Sequence, residues 1–92
     1  MNLYCVHCGF YDPEISGGIY ESHTNFFVVA SDPQGARAQA KALPSFKLRR
    51  MHIDGLQEIV TVSGFRISPV WDESLKSNTA IVSHRHREMA AQ

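Results

Sequence analysis

The chain has 92 residues, and its nine basic and nine acidic side chains leave no formal net charge. Hydrophobic residues make up 43% of the sequence, which is too much for a disordered protein. No apolar run approaches the roughly 20 residues of a membrane helix, and no signal-like stretch opens the chain. We therefore expect one small cytoplasmic domain with no membrane association.

Charge is distributed unevenly along the sequence. Residues 1–46 contain two basic and four acidic side chains, whereas residues 47–92 contain seven basic and five acidic ones. The two halves, at −2 and +2, could attract each other within one chain or between two copies. This balance does not favour a nucleic-acid partner.

The first third of the chain predicts two strands separated by a loop. Residues 2–10 are mostly apolar or β-favouring, and residues 11–18 contain the proline and glycines of a turn region. Residues 24–30 form the second predicted strand, with apolar side chains on both faces. Such a strand is usually central in its sheet or covered on both sides.

A helix follows the second strand. Ser31, Asp32, Pro33 and Gln34 are typical of a helix start, with a capping oxygen before a proline near the first helical position. One face then has small or apolar side chains, and Pro44 is expected to end the helix because it disfavours helical geometry in the preceding residue.

Three more strands are predicted, at residues 48–53, 56–62 and 65–70, with turns at Asp54-Gly55 and Ser63-Gly64 between them. Trp71 is expected to anchor the end of the last strand in the core. We thus predict a single domain at residues 1–71 and a polar, flexible tail at residues 72–92.

The predicted order is ββαβββ, a small α+β fold with a mostly antiparallel sheet of four to five strands and one main helix. One helix covers only one face of such a sheet. The opposite apolar face then needs a second chain, so we expect a homodimer.

Two sequence segments resemble a known family. Gly-Gly-Ile-Tyr-Glu-Ser-His at residues 17–23 precedes Phe-Phe-Val-Val at 26–29, and His-Ile-Asp-Gly-Leu-Gln-Glu-Ile at 52–59 precedes Val-Ser-Gly-Phe-Arg-Ile at 62–67. Over residues 3–67 the chain is similar to the small bacterial proteins grouped as domain of unknown function 1543. That resemblance implies no particular activity.

The same segments contain the main candidate site, formed by Glu21, His23, His52 and Asp54. Residues at positions i and i+2 of a strand point to the same face, so each segment places a carboxylate beside an imidazole. This combination suits acid–base chemistry, the support of a metal ligand, or the binding of a small polar ligand. The alternative is that these side chains only satisfy strand ends, with Asp54 serving the predicted turn.

Cys5-Val6-His7-Cys8 has the spacing of a zinc-binding pair but lies inside a predicted strand, where residues three apart face opposite ways. We therefore expect ordinary buried or half-buried cysteines. The basic side chains of residues 47–50 are expected to form an exposed strand face, and the basic residues 84–87 a solvated tail. No catalytic motif is recognisable, so we do not expect an enzyme.

The first interpretation is accordingly a homodimeric binding or protein-interaction module of cytoplasmic, bacterial type, with no cofactor, metal or nucleic acid. The alternative is a metal- or small-ligand-binding site built from Glu21, His23, His52 and Asp54.

Overall fold

The computed structural model describes residues 1–89 of the chain. Two single 3-10 turns lie at Ser16–Gly18 and Glu73–Leu75. The longer elements, in chain order, are β1 (Asn2–Phe10), β2 (Ser22–Ala30), α1 (Pro33–Ala42), α2 (Pro44–Leu48), β3 (His52–Ile59), β4 (Thr61–Val62), β5 (Phe65–Arg66) and α3 (His86–Met89).

The main sheet has three strands in the order β2-β1-β3, and β1 pairs antiparallel with both neighbours. Strands β2 and β3 are therefore parallel to each other, and the helical connection crosses β1 to join them. The predicted α+β class with an antiparallel sheet is confirmed. The number of strands differs, because β4 and β5 form a separate two-stranded sheet.

The core lies between the sheet and α1. Alternate residues of β1, Tyr4, Val6, Cys8 and Phe10, are buried on the helix side. Ala36 and Ala40 of α1 are buried against this face, and their small side chains allow the helix to approach closely; Phe46 and Met51 complete the cluster. The opposite side of the sheet is called the outer face below.

Helix α1 begins at Pro33. Asp32, rather than Ser31, is the N-cap, and its Oδ1 accepts a hydrogen bond of 2.7 Å from the Gly35 amide. The helix ends at Ala42 because Leu43, which precedes Pro44, is extended. Pro44 then starts α2, since proline is favourable at a first helical position.

The predicted third strand at residues 48–53 is wrong. Helix α2 extends through Leu48 and buries Phe46, and Arg50 then takes a left-handed conformation (φ 51°) that redirects the chain. Strand β3 consequently begins only at His52. The β-favouring pattern of this segment is overridden by the proline at the start of the helix and by the burial of one aromatic ring.

Asp54-Gly55 is a β-bulge within one strand and not a hairpin turn. The register with β1 runs from Gly9 opposite His52 and Cys8 opposite Ile53 directly to His7 opposite Gly55. Asp54 is the extra residue, so the predicted fourth strand starts as a continuation of β3. The physical reason is that β1 pairs on both sides of the bulge.

The Ser63-Gly64 turn is confirmed and joins β4 to β5, with positive φ at both residues (50° and 88°). The predicted fifth strand is reduced to Phe65–Arg66. The predicted anchoring of Trp71 in the core is wrong: 71% of Trp71 is exposed, and its indole N–H donates to Glu73. The Cα radius of gyration is 15.7 Å, against about 12 Å for a compact chain of this length.

Strand β2 is an edge strand, which corrects the expectation from its two apolar faces that it would be central or covered. Its helix-side residues Val28 and Ala30 are buried, but Phe27 and Val29 on the outer face are 49% and 36% exposed.

Within residues 1–89, none of the helices is long and apolar enough to cross a membrane. The domain boundary at residue 71 stays a prediction, and the last three residues of the predicted tail lie outside the described part.

Candidate metal centre

Gly9 of the central strand lies between two histidines. Gly9 pairs with His23 of β2 on one side and with His52 of β3 on the other. The two imidazoles therefore flank it from opposite sides on the outer face. Cross-strand neighbours of this kind have Cα atoms about 4.5–5.5 Å apart. Side chains on the two edge strands can therefore meet above the middle strand.

The four candidate residues do meet there. Glu21 Oε1 lies 2.8 Å from His23 Nε2 and 3.1 Å from His52 Nε2. Asp54 Oδ2 lies 3.3 Å from His23 Nε2, and its Oδ1 lies 3.0 Å from His52 Nε2. The sequence pattern predicted each pair separately, and the fold brings both pairs into one cluster.

Glycine at position 9 leaves the space that the cluster occupies. A Cβ atom built there would overlap Glu21 Oε1 and would lie 2.6 Å from His52 Nε2 and 2.9 Å from Asp54 Oδ2. Real Cβ atoms do not approach other heavy atoms so closely. Any larger residue at position 9 would therefore displace the carboxylates and an imidazole.

The bulge lets β3 serve two purposes. His52 and Asp54 are on the outer face, while Ile53 and Leu56 pack against the core. In a strand without a bulge, residues 52, 54 and 56 would share one face. The extra residue at Asp54 therefore keeps the polar pair together and still returns Leu56 to the hydrophobic side.

His7 adjoins the cluster from the strand that bears Gly9. Its ring stacks on His23 with centroids 5.0 Å apart and planes inclined by 10°. His7 Nδ1 is 2.7 Å from Asn25 Oδ1, and the two residues are register partners. One nitrogen of His7, one of His23 and one oxygen of Asp54 lie within 4.8 Å of one another, as do ligand atoms of Glu21, His52 and Asp54.

The cluster favours ionised Glu21. Partial burial acts to raise the pKa of this carboxyl, but hydrogen bonds from His52, Tyr11 and His23 outweigh it, so the pKa is lowered. The Tyr11 hydroxyl donates to Glu21 Oε2 over 3.3 Å, and the nearby carboxylate raises the pKa of that phenol. The site thus presents carboxylate acceptors beside two imidazole rings.

The distances fit the coordination shell of a small ion. Zinc binds imidazole nitrogen and carboxylate oxygen at about 2.0–2.2 Å, which places neighbouring ligand atoms roughly 3.0–3.4 Å apart in octahedral or tetrahedral geometry. The four nitrogen–oxygen distances here run from 2.8 to 3.3 Å. Little movement would be needed for these atoms to surround a cation.

Two residues of this site, His7 and Gly9, were not predicted from the sequence. His7 entered only as part of the cysteine motif, and Gly9 only as a residue near the end of a strand. A glycine inside a β-favouring run often marks a place where another group approaches the backbone closely. Together with the i, i+2 spacing of His7 and Gly9, that signal could have identified both.

The other sequence motifs lie apart from this centre. Cys5 is half-buried on the outer face and Cys8 fully buried on the helix side, as expected for a strand. Burial, aided by the charge of Asp54, raises the pKa of the Cys8 thiol. The predicted basic strand face does not form: Lys47 is on α2, while Arg49 forms a 3.1 Å ion pair with Asp12 and lies over the Phe10 ring.

The fold and site therefore define a small α+β protein with a histidine–carboxylate cluster on the outer face of its sheet. The family model described as Domain of Unknown Function (DUF1543) matches residues 18–68, more than half of the chain, and the protein belongs to this family. The match includes Glu21, His23, His52 and Asp54. No curated protein and no solved structure matches the chain.

Proposed function

We propose that this protein binds a divalent transition-metal ion through Glu21, His23, His52 and Asp54. One observation carries the proposal: four potential ligands, three on the two edge strands and Glu21 just before β2, converge above a glycine that leaves room for them. Their side chains are only 30–48% exposed, so the cluster is partly sheltered and still accessible to an ion from solvent.

The charge of the cluster favours a cation over an anion. Its two carboxylates carry negative charge, which repels an anionic ligand. Imidazole nitrogens suit zinc, iron, nickel and copper, whereas calcium and magnesium prefer oxygen ligands throughout. The mixed nitrogen and oxygen set therefore points to a transition-metal ion.

Proton chemistry separates this proposal from a purely structural hydrogen-bond network. Both imidazole Nε2 atoms face carboxylate oxygens, so in the metal-free protein each donates a proton to the cluster. A metal ion needs the Nε2 lone pairs, so on binding each Nε2 must lose its proton, which can move to Nδ1 of the same ring. A network that serves only the fold would keep its Nε2 protons when zinc is added.

Calorimetric titration of the untagged, metal-stripped protein with Zn²⁺, together with nitrogen-15 NMR of the imidazole rings, tests the proposal. We expect saturable binding and loss of the Nε2–H protons of His23 and His52. His23→Ala and His52→Ala should each lower the Zn²⁺ affinity by at least about tenfold. Loss of a group that only orients a ligand lowers metal affinity by about 10–100-fold, and loss of the ligand itself should cost at least as much.

His84→Ala combined with His86→Ala is the matched control, since it removes two imidazoles from outside the main sheet. This variant should bind like the wild type. Affinities that are unchanged by His23→Ala and His52→Ala, with Mn²⁺ and Ni²⁺ as well as Zn²⁺, would contradict the proposal.

A second function, a homodimeric interaction module, is favoured by the other half of the outer face. Leu3, Cys5, Phe27, Val29 and Ile59 share this half by strand register, and Phe27 remains half-exposed. Apolar surface of this kind commonly marks an interface. A second copy is the partner that we propose, because the opposed charges of the two chain halves would also attract between copies.

A cleft of about 810 Å³ adjoins this apolar half. Phe27 and Val29 line one side and Val70 and Trp71 another, and all four side chains are substantially exposed. Side chains of a second chain could enter such a space, which would bury residues that solvent now reaches.

Analytical ultracentrifugation at micromolar concentration tests the dimer. We expect a dimer for the wild type and a monomer for Phe27→Glu, because a charge in an apolar interface is strongly unfavourable. Lys41→Glu, on the exposed side of α1, is the control and should remain dimeric. A monomeric wild type would exclude this second function without affecting the metal site.

A further inference from the structure

We propose that the centre holds two divalent transition-metal ions per chain, bridged by the carboxylate of Asp54. The inference rests on the proposed metal-binding function and goes further, because it assigns a second ion and a fifth ligand, His7. Two groups of three potential ligands share Asp54: Glu21, His52 and Asp54 form one, and His7, His23 and Asp54 form the other.

The orientation of Asp54 is that of a bridging ligand. Its two oxygens face different histidines, with Oδ1 at 3.0 Å from His52 Nε2 and Oδ2 at 3.3 Å from His23 Nε2. A carboxylate bound to a single ion through both oxygens would direct both of them at that ion, whereas these two oxygens face different imidazole nitrogens. In two-metal centres the ions lie about 3.5–4 Å apart, a separation that one carboxylate group can span.

The hydrogen bonding of His7 suits a ligand of the second ion. Its Nδ1 hydrogen bonds to the amide oxygen of Asn25, so that nitrogen is the proton donor and Nε2 keeps its lone pair. A metal-bound imidazole is usually oriented by such a bond to its other nitrogen. The parallel stacking of the His7 and His23 rings also places these two imidazoles side by side next to Asp54.

The charges are compatible with two ions. The two carboxylates supply −2 against a total of +4, and water-derived hydroxide or other small anions can complete the open coordination positions. The first ion also offsets the negative charge of Glu21 and Asp54 that attracts a cation to the centre. We therefore expect the second ion to bind more weakly than the first.

The test is native mass spectrometry of the full-length, untagged protein with increasing Zn²⁺, together with electron paramagnetic resonance of the Mn²⁺-loaded protein. We expect two ions per chain and a spectrum broadened by coupling between neighbouring Mn²⁺ ions. His7→Ala should bind one ion and show an uncoupled spectrum. Asp54→Asn should weaken binding of both ions by at least about tenfold.

Asn25→Ala tests the positioning of His7 separately, because it leaves all five ligands in place. It should lower the affinity for the second ion by about 10–100-fold and leave the affinity for the first unchanged. His7→Gln, with circular dichroism of each variant, guards against loss of folding. One ion per wild-type chain, or two ions that His7→Ala and His7→Gln both retain, would overturn the second site and leave the proposed function intact. Binding of no ion would overturn both.

Discussion

Glu21 Oε1 lies 3.1 Å from His52 Nε2, although the two residues are 31 positions apart and belong to opposite edges of the sheet. No strand pairing connects them, because β1 runs between β2 and β3. Their contact is possible only because Gly9 presents no side chain at the crossing point. The centre is thus defined by a position that supplies no functional group of its own.

Gly9→Ala should therefore abolish strong metal binding and preserve the fold. The added Cβ would displace the ends of flexible side chains and not backbone atoms, and Gly9 does not have a left-handed φ. We expect a loss of at least about tenfold in Zn²⁺ affinity, comparable with the loss of a ligand's orienting partner. The stability of the metal-free protein should change by no more than about 1 kcal/mol, measured by urea denaturation.

Gly55→Ala is the matched control for this substitution. Gly55 is in the neighbouring strand, opposite His7, and an added Cβ would meet nothing within 4 Å. Its Zn²⁺ affinity should equal that of the wild type. Equal affinities for Gly9→Ala and the wild type would show that the space above Gly9 is not where the ion binds.

The stability of the metal-free protein should depend on the ionisation of Glu21. The pKa of Glu21 is lowered in the folded protein relative to its ordinary value of 4.5. A lowered pKa contributes stability that is present above that value and is lost as the pH falls through the folded pKa. Glu21→Gln should remove this contribution and flatten the pH dependence in the acidic range.

Urea midpoints measured in chelator from about pH 6 to about pH 3 would show the difference. The wild-type midpoint should fall more steeply below about pH 4.5 than that of Glu21→Gln. Glu14→Gln, at an exposed position in the loop after β1, should behave like the wild type. Parallel curves for the wild type and Glu21→Gln would refute the assigned role of the carboxylate.

The two cysteines should differ strongly in reactivity. Cys8 is inaccessible, and burial raises the pKa of its thiol, so little of it is thiolate at neutral pH. Cys5 is partly exposed on the outer face. Iodoacetamide followed by peptide mass mapping should modify Cys5 at least about tenfold faster than Cys8. Similar rates in the folded protein would contradict the placement of Cys8 in the core.

Local sequence patterns were sufficient to predict β1, α1 and the Ser63-Gly64 turn, because each of these elements depends on residues close together in sequence. The i, i+2 rule likewise paired Glu21 with His23 and His52 with Asp54 from their spacing alone. In each case the physical cause, side-chain alternation or a capping oxygen, operates within a few residues.

The convergence of the two pairs could not be predicted in this way. It depends on the order β2-β1-β3, in which the central strand precedes both partners, and on the bulge at Asp54. The local sequence Asp54-Gly55 is compatible with either a turn or a bulge. It forms a bulge because the chain pairs with β1 on both sides of it. The exposure of Trp71 similarly reflects the position of the chain beyond β5, which no local pattern encodes.

Anomalous diffraction from crystals of the untagged protein grown with Zn²⁺ tests the central claim most directly. Data collected above and below the zinc absorption edge would locate the ions without assumptions about their ligands. We predict zinc difference density within about 2.0–2.2 Å of imidazole nitrogens of His23 and His52 and of oxygens from Glu21 and Asp54. Zinc bound only elsewhere, with the hydrogen bonds above Gly9 intact, would contradict the account.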